Sequence, residues 1–73
     1  MIVTLWFIRE SASGQARLFS RVPSSAKVDG VDDNVWLPRS LIEHASKDPV
    51  KPGEDWPAHT MTIPDWIGVQ KGL

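Results

Sequence analysis

Alternating apolar and polar positions in the N-terminal third of the chain predict a β-hairpin. The segments 2–9 (IVTLWFIR) and 15–22 (QARLFSRV) alternate with a period of two, which is typical of half-buried strands. Between them, residues 11–14 (SASG) supply turn-forming residues. We therefore expect two antiparallel strands joined by a tight turn.

The expected register of this hairpin divides its side chains between two faces. If Glu10 lies opposite Gln15, the residue numbers of every opposed pair have the same odd sum. Trp6 then lies opposite Phe19, and the two side chains share a face. The apolar face, which we expect in the core, carries Val3, Leu5, Phe7, Leu18 and Val22. The opposite face carries Thr4, Trp6, Ile8, Arg17, Phe19 and Arg21. A three-residue loop would break this arrangement.

The rest of the chain predicts three short strands separated by loops. They are expected at residues 34–38 (NVWLP), 41–45 (LIEHA) and 58–63 (AHTMTI). Pro38 has no N–H to donate, so its strand ends there or lies at the edge of the sheet. Residues 23–33 are rich in turn formers, and residues 47–57 contain three prolines. Both segments therefore indicate loops, the second one stiff.

The C-terminal segment, residues 64–73, predicts a short helix. Pro64 suits the first helical position, and Gly72 suits a left-handed stop. A helix this short is marginal by itself, so it must dock on the sheet. The stripe expected to dock it consists of Trp66, Val69 and Leu73.

Together these elements predict a mainly β domain comprising residues 1–73. We expect a small rolled sheet or barrel of about five strands, OB- or SH3-like, with a short C-terminal helix. The 73 residues include no cysteine, four tryptophans and two phenylalanines. Stability must therefore come from apolar packing, in which each large aromatic ring buries roughly 150–250 Å².

Charge is unevenly distributed along the chain. Residues 1–27 carry a net charge of +3 and residues 28–73 carry −4, which gives the net −1 of the whole chain. This asymmetry indicates either a basic face or complementarity between two parts of one sheet. The N-terminal apolar run is short and is followed at once by Arg9 and Glu10. We therefore expect neither a signal peptide nor a membrane span, and a cytoplasmic protein.

The second half of the chain carries a specific sequence pattern. A Trp-Leu-Pro-Arg-Ser step leads to an Ile-Glu pair, and the chain closes with Ile-Pro-Asp-Trp and a Lys-Gly-Leu tail. These positions are Trp36, Leu37, Pro38, Arg39, Ser40, Ile42, Glu43, Ile63, Pro64, Asp65, Trp66, Lys71, Gly72 and Leu73. In them the chain resembles a group of small proteins encoded in bacteriophage and prophage genomes. The resemblance implies a phage origin, a bacterial host cell and a small β-barrel architecture, and it assigns no active site.

The sequence contains no ordered catalytic motif. Serine, histidine and aspartate are present without a nucleophile elbow, a P-loop or a zinc-protease signature. His44 and His59 fall on strands, but Glu43 and His44 point to opposite faces of an extended segment and so cannot ligate a metal together. We therefore expect no enzymatic activity, no cofactor and no metal.

Six residues are predicted to contact a partner: Trp6, Arg9, Arg17, Phe19, Arg21 and Trp56. Trp36 and Trp66, which lie in patterned segments, are expected in the core. Trp56 lies in a loop, which it either fastens to the sheet or uses as an exposed anchor. The face that holds Phe19 is either covered by the helix or the 46–57 loop, a protein or homodimer interface, or a nucleic-acid site.

Two functions follow as hypotheses. The first is a phage-encoded binding protein that occupies a bacterial protein or ribonucleoprotein complex and inhibits it, specifically a CRISPR–Cas defence complex, as an anti-CRISPR protein does. The second is a single-stranded nucleic-acid-binding accessory of phage replication or recombination, in which bases stack on the rings and arginines hold phosphates. A structural homodimer is a third hypothesis.

Overall fold

A computed structural model describes all 73 residues and contains one five-stranded antiparallel sheet. The strands are β1 (Ile2–Glu10), β2 (Ala16–Ser20), β3 (Asn34–Pro38), β4 (Glu43–Lys47) and β5 (Ala58–Thr62), followed by the helix α1 (Asp65–Gln70). Their order in the sheet is β3-β2-β1-β5-β4. The prediction of a mainly β fold with a short C-terminal helix is confirmed. The sheet is rolled rather than closed into a barrel, because β3 and β4 remain its two edges.

The predicted hairpin forms, but a β-bulge in β1 alters its pairing. Next to the turn, Arg9 lies opposite Leu18, and the index sum is odd as expected. The register then shifts at Ile8. Beyond the shift Phe7 lies opposite Phe19, so the residue numbers of a pair now have an even sum. A bulge inserts one extra residue in one strand, so it reverses which residues of the two strands share a face.

Phe19 consequently points into the core. Its side chain is fully buried, and its ring meets the Phe7 ring edge-on, with centroids 5.8 Å apart. The prediction that Phe19 shares an exposed face with Trp6 is wrong, because the bulge places Phe7 rather than Trp6 across from it. Leu18 points to the opposite face and is also buried. Both faces of β2 are therefore covered.

The core lies on one face of the sheet, which we call the inner face. Its buried cluster consists of Leu5, Phe19, Val35, Leu37, Met61, Ile63 and Ile67. Leu41 and Ile42 pack against this cluster from the connection between β3 and β4. That connection contains a 3₁₀ turn at Arg39–Leu41, so the fourth strand starts at Glu43 rather than at the predicted residue 41. The other side of the sheet is the outer face.

The helix α1 docks through different residues from those predicted. Ile67 and Gly68 are buried, whereas Trp66 is 60% exposed and Val69 is 74% exposed. A Cβ atom at position 68 would collide with the side chain of Met1, so glycine permits this close approach. Of the predicted stripe, only the terminal leucine packs against the core. None of the helices is long and apolar enough to cross a bilayer.

Candidate functional site

The outer face carries an exposed tryptophan at the end of the sheet near the hairpin turn. Trp36 lies opposite Leu18, and Leu18 lies opposite Arg9, so the three side chains form a row across β3, β2 and β1. The Arg9 guanidinium carbon is 5.1 Å from the centroid of the Trp36 ring, a cation–π distance. Trp36 remains 38% exposed, while Leu18 beneath the pair is only 8% exposed. The prediction that Trp36 belongs to the core is wrong.

A groove on the same face contains two further tryptophans. Trp6 from β1 and Trp56 from the 48–57 loop line a groove of about 170 Å³, together with Asp48 and Glu54. Both tryptophans are half-buried. The loop therefore folds back over the outer face and brings Trp56 to the same groove as Trp6.

Glu54 fastens this loop to the chain between β2 and β3. Its carboxylate accepts hydrogen bonds from the Ser24 hydroxyl at 2.8 Å, from the Ser25 backbone N–H at 3.2 Å and from the Ser25 hydroxyl. These bonds, the Ser25 hydroxyl first, lower the pKa of Glu54 below its ordinary value. The Ser24 hydroxyl also accepts a bond from the Asp55 N–H at 2.7 Å. The loop position is thus set by polar contacts rather than by Trp56 alone.

Lys27 connects the groove to the β3 edge. Its ammonium group donates to Asn34 Oδ1 at 2.8 Å and lies 6.0 Å from the centroid of the Trp56 ring. Asn34 is the outward neighbour of Trp36 on β3, two residues earlier in the strand. These pairs and the groove place three indoles and two cations on the outer face. We call this set the outer aromatic face: Trp6, Arg9, Lys27, Trp36 and Trp56.

Arg17, one of the predicted contact residues, lies on the inner face. It faces Glu10 across the hairpin, with Arg17 Nε 3.4 Å from Glu10 Oε1. The contact is an ion pair whose geometry does not make a hydrogen bond, and the Nε atom is buried without one. The side chain is only 17% exposed. Arg17 is therefore unavailable to the outer face, because β2 presents it on the same side as Phe19.

Arg21 is also used within the fold. Its guanidinium donates to the backbone carbonyl of Lys71, at the C-terminal end of α1. Carbonyl groups at this end of a helix lack intrahelical partners, and a cation there also complements the helix dipole. Arg21 thus ties the end of β2 to the helix. The prediction that Arg17, Phe19 and Arg21 form one surface with Trp6 is wrong.

Of the six predicted contact residues, the structure gathers Trp6, Arg9 and Trp56 on the outer face. Trp36 could have been added from sequence. It lies between Val35 and Leu37, and in a strand whose two flanking apolar residues face the core, the middle residue must face outward. Lys27 carried no such signal, because its position depends on how two loops meet over the sheet.

His59 is the one histidine buried on the inner face. Its ring stacks on Phe7, with centroids 5.1 Å apart and planes 10° from parallel, and its Nδ1 has no hydrogen-bond partner. Burial, followed by the charges of Lys47 and Arg17, lowers the pKa of His59 below its ordinary value of 6.5. The imidazole is thus held in its neutral form by an apolar aromatic cluster.

The largest cavity lies elsewhere, beside the hairpin turn. It measures about 680 Å³ and is lined by Gly14, Gln15, Pro38, Arg39, Ser40 and Ile42. It contains no aromatic ring and no carboxylate, and it is widely open to solvent.

Comparison of the chain with protein-family models, curated proteins and solved structures finds no match.

Proposed function

We propose that this chain is a small non-enzymatic binding protein that uses its outer aromatic face to occupy a partner protein. The observation that carries the proposal is the location of both cation–π pairs, Arg9 with Trp36 and Lys27 with Trp56, on one side of the sheet. Tryptophan and arginine dominate the binding energy of protein interfaces because they bury large apolar areas while keeping polar groups. A face of this composition is suited to a protein partner.

The specific function is inhibition of a bacterial host system by a phage- or prophage-encoded protein. The likeness of residues 35–73 to small phage proteins supports this origin, and a CRISPR–Cas defence complex is the target we put forward. A chain of 73 residues acts here by steric occupation, since a bound protein blocks the surface that the host complex needs. The partner is then a bacterial protein or ribonucleoprotein complex in the host cytoplasm.

The nucleic-acid alternative has less support. Of the three arginines expected to hold phosphates, Arg17 faces Glu10 and Arg21 donates to a backbone carbonyl. Arg9 remains on the outer face, but its guanidinium lies over Trp36. A single-stranded nucleic acid that stacked on this face would also meet the carboxylates of Asp48 and Glu54, which repel phosphate.

An interference assay with matched tryptophan variants tests the proposal. Bacteria with an active CRISPR–Cas system receive a targeted plasmid together with the wild-type chain or a variant, and surviving plasmid is counted. We expect Trp36→Ala to restore interference and Trp66→Ala to leave inhibition intact, because Trp66 is equally bulky but lies on α1, against the inner face. Pull-down from lysate with the same variants reports the partner.

Two results would reject this proposal. Full interference in the presence of the wild-type chain, with no partner retained in the pull-down, removes the inhibitory function. Loss of inhibition by Trp66→Ala but not by Trp36→Ala moves the contact surface to α1. Salt-sensitive binding of a single-stranded oligonucleotide instead of a protein would favour the accessory function, and sedimentation at two concentrations reports a homodimer.

A further inference from the structure

The groove between Trp6 and Trp56 combines aromatic and acidic groups in one small space. It is bounded by β1, the start of β5 and the 48–57 loop, and its rim carries the carboxylates of Asp48 and Glu54 together with Lys51. We propose that this groove binds a cationic side chain, arginine or lysine, presented by the protein partner. The inference rests on the proposed function and names the chemistry by which one part of the outer aromatic face recognises its target.

The indole rings argue for a cation as the occupant. Two of the three tryptophans on the outer aromatic face already hold a cation of this chain: Trp36 holds Arg9 and Trp56 holds Lys27. Trp6 holds none. Trp6 and Trp56 also do not stack on each other, since the aromatic pairs of the molecule are formed by Phe7, Phe19 and His59. An indole without an internal cation therefore lines an open groove, and its π face attracts a positive group from outside.

The carboxylates add charge complementarity. The two ion pairs of the molecule join the N-terminus to Asp65 and Arg17 to Glu10, so neither Asp48 nor Glu54 forms an ion pair with Lys51 or Lys27. Glu54 is held in place by Ser24 and Ser25 and stays ionised. The exposed Asp48 side chain is free to pair with an incoming cation. An anionic occupant such as a phosphate would face the same two charges unfavourably.

The size of the groove indicates a single side chain rather than a whole ligand. Pockets for small molecules measure roughly 300–1,000 Å³, whereas this groove measures about 170 Å³. A cationic side chain inserted between two indoles and beside two carboxylates is the arrangement that anchors an interface at a few residues. The rest of the outer aromatic face, with Arg9 and Trp36, would pack around this anchor.

A titration followed by nuclear magnetic resonance tests the inference. Isotope-labelled protein is titrated with N-acetyl-arginine amide and, separately, with N-acetyl-citrulline amide, which has the same shape without the charge. We expect saturable shifts of the Trp6 and Trp56 indole N–H signals with arginine and binding about tenfold weaker with citrulline. The Trp66 signal should not move, because that ring lies on the helix.

An aspartate pair provides the matched control. Asp48→Asn removes one groove charge and should weaken arginine binding about threefold, whereas Asp29→Asn, an exposed aspartate in another loop, should not. Equal shifts with citrulline, equal shifts of all four indoles, or stronger shifts with oligothymidylate would overturn the inference. The proposed function fails separately. If Trp36→Ala abolishes host inhibition while arginine leaves the groove signals unmoved, the function stands and this inference falls. If arginine shifts the indole signals of the groove but the chain causes no host inhibition, the inference stands and the proposed function falls.

Discussion

Phe7 lies directly opposite Phe19 in the β1–β2 ladder, and the two rings meet at an angle of 62°. His59 completes the cluster from β5, with its ring stacked on Phe7 and 5.9 Å from the centroid of Phe19. The cluster joins three strands at the centre of the inner face, and it exists only because of the bulge at Ile8. The same bulge puts Arg9 on the outer face, where it reaches Trp36, so one irregularity contributes to both the core and the candidate binding surface.

Removing Phe19 should therefore damage stability rather than binding. Phe19→Ala takes a fully buried ring from the core and should lower the free energy of unfolding by roughly 3–5 kcal/mol. Domains of this kind are stable by about 5–15 kcal/mol, so the variant is expected near its unfolding threshold. Urea denaturation measures the loss, and Phe19→Leu provides a milder form. A wild-type unfolding curve for either variant would contradict the assignment of Phe19 to the core.

His59 should make the protein sensitive to mild acid. Its pKa is lowered in the fold by burial and by Lys47 and Arg17, whereas the unfolded chain binds a proton near pH 6.5. Stability is then unaffected above pH 6.5 and falls as the pH decreases from there to the lowered pKa, because the unfolded state takes up the proton first. The measurement is thermal unfolding between pH 7.5 and pH 5 with His59→Phe as control. The variant should lose this pH dependence, and an unchanged dependence would show that another group is responsible.

The sequence predicted the elements of the fold better than their pairing. The strand at 34–38 has the predicted bounds, and Met61 and Ile63, two residues apart at the end of the predicted 58–63 strand, are both buried in the core. The sequence around Ile8 does not indicate the bulge. Arg9 and Glu10, next to the turn, still pair with residues of β2 whose numbers give the expected odd sum. What selects the bulge is the gain from burying both Phe7 and Phe19, a tertiary effect that alternation alone does not contain.

The candidate site was predicted by composition rather than by position. Aromatic rings and cations do share one face, but Trp36 and Lys27 lie there in place of Phe19, Arg17 and Arg21. The helix was misjudged for a related reason. Gly68 rather than Trp66 lies against the fold, because its missing side chain leaves room for the side chain of Met1, and Trp66 is exposed to solvent. Both outcomes depend on contacts between distant segments.

Arg21 should act as a helix clamp. Its guanidinium donates to the Lys71 carbonyl at the end of α1, so Arg21→Met should destabilise the protein by roughly 1.5 kcal/mol. Amide hydrogen exchange should also become faster in the helix. Arg39→Met is the matched control, because Arg39 is an exposed arginine in the 3₁₀ turn after β3. Equal effects of the two substitutions, or an unchanged exchange rate in the helix, would argue against the clamp.

Glu54 should release the 48–57 loop in acid. Its pKa is lowered from 4.5 by hydrogen bonds from Ser25 and Ser24, so the stabilisation it provides is present above pH 4.5 and is lost as the pH falls through the lowered pKa. Glu54→Gln should detach the loop at neutral pH and shift the emission of Trp56 to longer wavelength. Glu43→Gln, at an exposed position on the β4 edge, is the control. Identical emission spectra of Glu54→Gln and wild type would contradict the proposed fastening.

Arg9 and Trp36 should show a measurable coupling in the absence of any partner. The guanidinium carbon lies 5.1 Å from the ring centroid on an exposed surface, and such a pair contributes about 0.5–1 kcal/mol. A double-mutant cycle with Arg9→Met and Trp36→Leu isolates this term, because methionine keeps an apolar stem over Leu18 while removing the charge. Arg9→Lys should retain part of the coupling.

The same variants also test whether Arg9 holds the Trp36 ring in place before a partner binds. If Arg9 holds Trp36 in place, Arg9→Met should broaden the Trp36 indole signal and leave that of Trp66 unchanged, because Trp66 has no cationic partner. Additive effects of the two substitutions, to within about 0.3 kcal/mol, would mean that no interaction links them. Trp36 would then be a mobile side chain, and a partner would have to order it on binding at a cost in affinity of about 0.5–1.5 kcal/mol.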